Sequence, residues 1–330
     1  MRVLTVMNFA PDADTPQRGR WVVDQVEALR EGGIDVDLFT FPPGKNQYVP
    51  ATRKIRQLIR KDDYDLVHAN YGLAGWCARL AGAKPLIVTF HGTDVRHPTV
   101  GRMSRSLTRR IDLVGAVSLA LFGPEDGRPG LPLHPGKNAV IPCGADLKRF
   151  SPGSKREARQ RLGLDPDSPF LFFPADPTRA EKRHDRALAV AEKAGAELKT
   201  GGSIAPEEMC DWMNAANGVL VTSDYEGFGL ACLESLACDV PVLSTPVGVA
   251  PHLLAGLPAC LCEEFDPETW SKHAEKLIAE DDPRTPGKGR AASLSAVRMA
   301  ERVALAYEEI LARGATGAMS SASIGNDGGH

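Results

Sequence analysis

Short apolar runs alternate along the chain with amphipathic stretches of helical period. In the first half, the apolar runs predict strands at Val3–Met7, Val36–Phe41, Leu66–Ala69, Leu86–Phe90, Leu113–Val117 and Ala139–Pro142. Apolar positions at helical spacing predict helices between them, most clearly at Trp21–Glu31, Thr52–Lys61 and Gly75–Leu80. This alternation indicates an α/β fold with a parallel, doubly wound sheet.

The same alternation restarts after a polar, proline-containing stretch at residues 150–168. Strands are predicted at Phe170–Pro174, Val219–Thr222, Val240–Ser244 and Ala259–Cys262, and helices at Arg183–Lys193, Pro206–Ala215, Leu230–Cys238 and Pro267–Ala279. We therefore expect two Rossmann-like domains, residues 1–160 and 161–294, which face each other across a cleft. A C-terminal helix at 295–313 is expected to close the structure, and the Gly-, Ser- and Ala-rich tail at 314–330 is expected to be disordered.

Length and composition limit the class of protein. A chain of 330 residues with 43% hydrophobic residues has room for two domains with full cores. Its formal net charge of −3 gives no overall basic field, so nucleic acid is not expected as a partner. The seven scattered cysteines are typical of free thiols in a reducing compartment. No stretch approaches the roughly 20 apolar residues of a membrane span, so we expect a cytoplasmic protein.

The most informative segment follows the second strand of the second domain. There the chain turns at a glycine and enters a helix, with Glu226 before the turn and Glu234 on the second turn of the helix. Backbone N–H groups collect at such a junction and bind anions, here those of Phe228, Gly229 and Leu230. If both glutamates were helical, their Cα atoms would lie about 12 Å apart, too far for the acid and base of a glycosidase. The pair suits the two sugar ends of a nucleotide sugar; two unrelated surface acids are the alternative.

Basic residues follow the first strand of the second domain, where Arg179 and Lys182 lie at a helix start. Cations at a helix start oppose the helix dipole, and a bound diphosphate would remove that conflict. We therefore predict that Arg179 and Lys182 bind a diphosphate. A solvated, charged helix start is the alternative.

In the first domain, polar residues follow the predicted strands. His91 comes directly after a strand and next to a glycine, so it is expected to face the cleft, with Asp94 close by. A structural histidine and a capping aspartate are the alternative. Asn70 and Tyr71 end the preceding strand and are candidates for the acceptor side.

The loop Thr15–Trp21 joins the first strand to the first helix. Gly19 lets the backbone approach the cleft, and Arg18 and Arg20 are candidates to meet an anionic donor or acceptor. An ordinary connecting loop is an equal alternative. We assign Arg18, with Asn70, Tyr71 and Asp94, to the acceptor side.

Several segments together carry a resemblance to a known family: Asp65–Ala69, Thr89–Asp94, Val140–Phe150, Glu181–Lys182, Glu226–Glu234 and Pro241–Gly248. With them, the sequence resembles the family-4, retaining glycosyltransferases of the GT-B type. Met213–Asn217 and Thr222–Asp224 most resemble the branch that acts in cell-surface polysaccharide or teichuronic-acid-type assembly. Asp239 departs from the family pattern, because glycine is usual there.

This resemblance implies roles for the candidate residues. Glu234 is expected to hold ribose hydroxyls, and Glu226 to contact the transferred sugar or stabilise its positive charge. Arg179 and Lys182 are expected to bind the diphosphate, with Gly19 in the donor-phosphate loop. His91 is expected near the transferred sugar.

The predicted activity is retaining transfer of a sugar from a nucleoside-diphosphate sugar to a hydroxyl of a glycan, a lipid-linked molecule or a small molecule. No cofactor or metal is expected, since the Asp-x-Asp segments lie at a strand start and in the linker. The alternatives are a sugar-nucleotide epimerase or phosphorylase, a natural-product glycosyltransferase, and an inactive transferase-like partner subunit. Arg102, Arg105, Arg109 and Arg110 are candidates for peripheral membrane contact, with a solvated helix face as the alternative.

Overall fold

A computed structural model describes residues 1–9, 11, 17–124 and 127–324 of the protein, with side chains described as far as Arg313. The chain forms two compact units. The N-terminal unit comprises the described residues of Met1–Ala10, Val22–Pro142 and Met299–His330, and the C-terminal unit those of Pro11–Trp21 and Cys143–Arg298.

The N-terminal unit contains a six-stranded parallel sheet in the order β2-β1-β3-β4-β5-β6. Its strands are β1 Arg2–Met7, β2 Asp35–Thr40, β3 Leu66–Asn70, β4 Leu86–Phe90, β5 Leu113–Ala116 and β6 Asn138–Val140. Its helices are α1 Arg20–Glu31, α2 Tyr48–Lys61, α3 Gly72–Ala81, α4 Thr93–Arg96 and α5 Pro98–Leu107. The central strands β3 and β4 are buried along their whole length, as expected of a parallel sheet covered on both faces.

The C-terminal unit contains a five-stranded parallel sheet in the order β11-β10-β9-β7-β8. Its strands are β7 Phe170–Phe173, β8 Glu197–Thr200, β9 Gly218–Val221, β10 Val242–Ser244 and β11 Leu261–Cys262. Its helices are α6 Lys155–Arg161, α7 His184–Ala194, α8 Met209–Ala215, α9 Leu230–Ala237, α10 Ala250–Leu254, α11 Pro267–Ala279 and α12 Lys288–Ala291. The long helix α13 spans Ala296–Ile324 and belongs to the N-terminal unit from Met299 on. One core cluster packs β7 against α7 and α11, with Trp270 fully buried in it.

The two parallel α/β sheets confirm the predicted Rossmann-like fold of each domain. The chain passes between the units at Pro142 and Cys143, earlier than the predicted boundary at residue 160. The predicted linker at 150–168 holds helix α6 of the C-terminal unit, which begins where the Ser154 hydroxyl accepts a hydrogen bond from the Glu157 N–H. The edge strand β8 was not predicted, because Glu and Lys interrupt its apolar pattern.

Helix α13 is longer than predicted, since it continues from the expected end at Arg313 to Ile324. The predicted disordered tail at 314–330 therefore overlaps a helix; residues 325–330 lie outside the described residues. Alanines favour the extension, because alanine has the highest helix propensity, although two glycines oppose it.

Asp239 lies at a position where the backbone needs a left-handed conformation, with a φ of 56°. This explains why glycine is usual there and why aspartate is tolerated, since Asp enters that region more readily than most residues. Asp239 also accepts a hydrogen bond through Oδ1 from the Lys288 N–H at 2.7 Å, at the start of α12. The departure from the family pattern is therefore accommodated by the structure.

We expect Asp239→Ala to lower the free energy of unfolding by about 1–2 kcal/mol, because alanine is strained at positive φ and loses the bond to Lys288. Asp239→Gly is the matched control, because it loses the same hydrogen bond while glycine adopts the positive φ without strain. Urea unfolding measures both variants. Equal losses for the two would contradict the role given to the left-handed backbone.

Candidate functional site

An ion pair joins two loops at the carboxyl ends of strands in the C-terminal unit. Lys182 ends the short 3₁₀ turn that follows β7, and Glu226 lies between β9 and α9. The Lys182 Nζ lies 2.6 Å from Glu226 Oε1 and 2.7 Å from Oε2. The two side chains are only 13% and 14% exposed, so the pair is largely shielded from bulk water. The structure thus brings two predicted site residues together as partners.

Further hydrogen bonds fix these two loops to one another. The Ser223 hydroxyl donates to Glu226 Oε1 at 2.8 Å. The Thr222 hydroxyl lies 3.0 Å from the carbonyl of Lys182 and 2.9 Å from that of Arg183. The positions of Lys182 and Glu226 are therefore set by a network that includes main chain, and not only by their mutual attraction.

Helix α9 begins beside this pair. Gly229 precedes it with a φ of 93°, a conformation that favours glycine, and among the described residues no side chain caps its first turn. The N–H groups of a helix's first turn lack intrahelical partners and carry the positive end of the helix dipole. Phe228 is buried and its carbonyl accepts from the Val249 N–H at 2.7 Å. The predicted anion-binding junction thus has the expected strand–turn–helix geometry.

Gly248 packs against the inside of this junction. A Cβ atom there would lie 2.3 Å from the Phe228 carbonyl oxygen and 3.0 Å from the Glu226 Cβ, and the residue has a φ of +56°. Gly248 ends one of the segments that carry the family resemblance, but it was not predicted as a site residue. Its signal, a glycine shortly after a buried strand, is too common to single out a site.

We expect Gly248→Ala to lower the free energy of unfolding by about 2–3 kcal/mol more than Gly256→Ala. Gly256 has a similar φ of +67° but nothing within 4 Å of an added Cβ, so the difference reports the collision with Phe228 and not backbone strain. Denaturant unfolding of both variants measures it. Equal stability of the two variants would show that the loop has room to move.

Glu234 lies on the second turn of α9, as predicted, and is half-buried. It is close enough to Cys143 to act on that thiol: burial, together with the charge of Glu234, raises the pKa of Cys143 to about 12. The ribose role of Glu234 stays a prediction.

Arg179 takes a different partner from Lys182. Its guanidinium pairs with Glu181 at 2.5 Å, and its side chain is 50% exposed. Arg179 and Lys182, which were predicted together as one diphosphate site, thus pair with different carboxylates. A role for Arg179 in binding the diphosphate stays a prediction and requires its release from Glu181.

The loop that contains Arg18 and Gly19 belongs by its contacts to the C-terminal unit. The Gln17 side-chain amide donates to the Ile204 carbonyl at 3.1 Å, and Gly19 has a φ of 73°. Gly19 was predicted on the donor side and Arg18 on the acceptor side, and both roles stay predictions. Thr15 and Pro16 of the same loop lie outside the described residues.

In the N-terminal unit, three predicted residues form one cluster at the ends of β3 and β4. The His91 Nε2 lies 2.8 Å from the Asn70 Oδ1, so the ring donates to this amide oxygen. The Tyr71 ring stacks on His91 with the centroids 4.7 Å apart, and Phe9 meets Tyr71 edge to face. Tyr71 has a φ of 76°, which is rare for a large side chain. Backbone strain of this kind accumulates at functional sites.

Asp94 holds the backbone of this cluster. It is 4% exposed and accepts hydrogen bonds from the N–H groups of Gly72, His91 and Gly92 at 2.9, 2.9 and 3.1 Å. Burial raises the pKa of Asp94 to about 6, against the lowering effect of these three bonds. The structure therefore supports the alternative interpretation, in which Asp94 is a capping residue. It positions His91 by accepting a hydrogen bond from the His91 N–H.

His68 is a fully buried polar residue that was not assigned a role. Its Nδ1 lies 2.7 Å from the Tyr307 hydroxyl and its Nε2 lies 2.8 Å from the Thr89 hydroxyl. Burial lowers its pKa to about 4, and burial together with His68 lowers the pKa of His91. Its contact with Tyr307 joins α13 to β3, a long-range pairing that local sequence patterns do not reveal.

The lowered pKa of His68 predicts a loss of stability in acid. A histidine whose folded-state pKa lies below its ordinary value of about 6.5 stabilises the fold above that pH, and this contribution is lost as the pH falls through about 4. Asp94 has the opposite effect, because its folded-state pKa is raised. Its contribution to the free energy of unfolding is lost as the pH rises through about 6. We expect His68→Gln to reduce the loss of unfolding free energy between pH 7 and pH 4 by about 3 kcal/mol. Urea unfolding across this range measures it; an unchanged slope would contradict the assignment.

No group of three or more His, Cys, Asp or Glu residues in the described part of the chain is placed to hold a metal ion. None of the described helices is both long and apolar enough to span a bilayer.

The chain matches two known families in sequence. Residues 38–149 match Glycosyltransferase Family 4, and residues 179–289 match Glycosyl transferases group 1. A D-inositol 3-phosphate glycosyltransferase of Thermobispora bispora is 28% identical, with 91% of this chain and 91% of the relative covered. This relative does not support the predicted polysaccharide or teichuronic-acid branch.

Solved structures share the fold of the chain. Sucrose-phosphate synthase from Thermosynechococcus elongatus matches with a TM-score of 0.72 and 21% identity, covering 95% of this chain and 100% of that one. Anabaena HepE, solved with UDP and glucose, matches with a TM-score of 0.65 and 19% identity, covering 94% and 100%. These likenesses show that the two parallel-sheet units are those of a GT-B fold.

Proposed function

Because the chain belongs to the family-4 glycosyltransferases, with a group 1 glycosyltransferase domain in its second half, we propose that it moves a sugar from a nucleoside-diphosphate sugar to an acceptor hydroxyl, with retention of anomeric configuration. The observation that carries this proposal is the shielded Lys182–Glu226 pair beside the uncapped start of α9. UDP in the HepE structure supports a uridine donor.

Lys182 and the N–H groups at the start of α9 would stabilise the departing diphosphate. When the bond between the anomeric carbon and the phosphate oxygen breaks, negative charge grows on the diphosphate and positive charge on the sugar. The Lys182 ammonium can turn from Glu226 to the diphosphate, and the freed Glu226 carboxylate then faces the positive charge. The acceptor oxygen bonds to the anomeric carbon on the face that the diphosphate leaves, and its proton passes to the leaving phosphate oxygen. Charge stabilisation by Lys182 and by backbone needs no metal in this scheme.

The clustering of predicted residues in the N-terminal unit supports an acceptor site in that unit. We assign acceptor contacts to Asn70 and to Tyr71, whose backbone is strained, and we place His91, whose imidazole Asn70 orients, near the transferred sugar. The lowered pKa keeps His91 neutral near pH 7, so that it acts as a hydrogen-bonding group and not as a cation.

Two acceptor classes follow from different observations. The sequence resemblance favours a lipid-linked or growing glycan in the assembly of a surface polysaccharide or glycoconjugate. The name of the relative from Thermobispora bispora favours a small phosphorylated polyol such as D-inositol 3-phosphate.

The proposed function is tested with a panel of UDP-, GDP- and ADP-sugars, each with D-inositol 3-phosphate, with a lipid-linked glycan and without acceptor. Proton NMR identifies the product and its anomeric configuration. We expect a glycoside with the configuration of the donor. An epimerised donor in the acceptor-free samples would favour an epimerase, and an inverted product would contradict the retaining mechanism.

A further inference from the structure

Positive charge is concentrated in one part of a chain that is acidic as a whole. Residues 38–111 contain thirteen lysines and arginines against four aspartates and no glutamate, whereas the whole chain has a net charge of −3. One of those aspartates, Asp94, is buried and bonded to backbone. This segment of the N-terminal unit therefore has a strongly basic surface.

Helices α2, α3 and α5 place this charge on one continuous surface, which we call the α2–α3–α5 face. Arg56 of α2 donates to the Leu80 carbonyl of α3 at 2.6 Å. On the other side of α3, the Trp76 indole donates to the Met103 carbonyl of α5 at 3.0 Å. Side chains of the three helices thus meet in one patch.

The cations of this face point into solvent. The exposed ones are Arg53, Lys54, Arg60, Lys61, Arg79 and Arg102 on the three helices, with Arg109 and Arg110 on the 3₁₀ turn that directly follows α5. Within the described part of the chain, none of these eight forms an ion pair with a carboxylate. On α2, an open groove is lined by Arg53, Arg56, Gln57, Arg60 and Lys61. Cations left without counter-charges on one face are available to an external anion.

Large apolar side chains lie among these cations. Leu80 is 61% exposed and Met103 is 42% exposed, and Trp76 lies under the guanidinium of Arg110 at 5.6 Å. Arginines bind the phosphates of lipid headgroups, while exposed aliphatic and aromatic side chains reach the boundary of the acyl chains. A nucleic acid would satisfy the cations but would offer no apolar phase for Leu80 and Met103.

We propose that the α2–α3–α5 face docks on a bilayer that contains anionic phospholipid. The arginines and lysines contact headgroup phosphates, and Leu80 and Met103 insert at the interface. This docking is a second function of the N-terminal unit, distinct from the sugar-transfer chemistry, and it would present the protein to acceptors carried by a membrane.

The electrostatic part is tested by sedimentation of the full chain with vesicles of phosphatidylcholine, with and without 30% phosphatidylglycerol. We expect binding only to the anionic vesicles, and loss of that binding in about 1 M salt. Arg60→Glu/Lys61→Glu should weaken the binding by about a factor of 10 or more. Lys272→Glu/Lys276→Glu on α11 changes the net charge equally at exposed positions of the other unit, and it should bind like the unaltered protein. Equal weakening in both double variants, or no binding to anionic vesicles, would overturn the proposal.

The apolar part distinguishes a bilayer from other polyanions. Leu80→Ser should weaken vesicle binding several-fold, whereas Leu305→Ser, at a leucine that is 63% exposed on α13, should not. Binding to a DNA duplex, followed by fluorescence anisotropy, is the comparison. If the protein binds the duplex as tightly as the vesicles and Leu80→Ser changes neither, the face is a nucleic-acid surface and the lipid assignment is wrong. Sugar transfer to a water-soluble acceptor is not expected to change in these variants, so failure of docking and failure of the proposed activity remain distinguishable.

Discussion

Glu226→Gln is expected to lower kcat for sugar transfer by about 10²–10³-fold while the protein stays folded. The amide keeps the shape of the carboxyl group, and its oxygen at the Oε1 position still accepts from Ser223 and Lys182, whereas the bond from Lys182 to Oε2 is lost. It cannot supply the negative charge that we assign to stabilising the sugar in the transition state. Initial rates at saturating donor, with circular dichroism as a check of folding, measure the effect.

Glu268→Gln is the matched control for this variant. Glu268 pairs with Lys193 on the surface of the same unit, and its side chain is 64% exposed. The Glu268→Gln variant should transfer sugar at the rate of the unaltered protein, because an exposed ion pair contributes little to stability. Full activity of Glu226→Gln would remove Glu226 from the mechanism.

Lys182→Ala is expected to lower kcat/KM for the donor by about 10²–10³-fold, which corresponds to about 3–4 kcal/mol of transition-state stabilisation. The physical reason is the loss of the ammonium that meets the departing diphosphate. The same change leaves the largely shielded Glu226 carboxylate without its cation, so some stability is lost as well.

The double variant Lys182→Ala/Glu226→Gln separates these two effects. It has no unpaired carboxylate, so its stability should recover toward that of the unaltered protein while its activity stays low. Lys193→Ala, which breaks the surface pair with Glu268, should change neither quantity. Recovery of activity along with stability would show that Lys182 is only structural.

The fold was predictable because buried parallel strands are nearly continuous apolar runs. The all-buried segments β4 and β9 illustrate this, and each ends directly before a candidate site residue or loop. Edge strands carry half-polar sequences, which is why β8 was missed. Boundaries between units depend on which distant segments pack together, and local patterns do not report that; the placement of Gly19 with the C-terminal unit is an example.

The pairings of the candidate site residues were not predicted from the sequence. Glu226 and Lys182 were each singled out, yet they were assigned to the sugar and to the diphosphate, and the structure shows them bound to each other. Arg179 was grouped with Lys182 because the two are close in sequence, whereas the 3₁₀ turn directs Arg179 to Glu181. Side-chain pairings across loops follow from tertiary packing, which sequence spacing does not encode.

Thermal unfolding with and without UDP tests most directly whether the two loops that hold Lys182 and Glu226 bind the nucleotide. A ligand that binds only the folded state stabilises it by RT ln(1 + [L]/Kd), so at a fixed ligand concentration a weaker affinity gives a smaller rise in Tm. We predict that UDP raises the Tm of the unaltered protein and of Lys193→Ala, and that this increase is much smaller in Lys182→Ala/Glu226→Gln. An equal increase in all three, or no increase with UDP, GDP or ADP in the unaltered protein, would contradict the account.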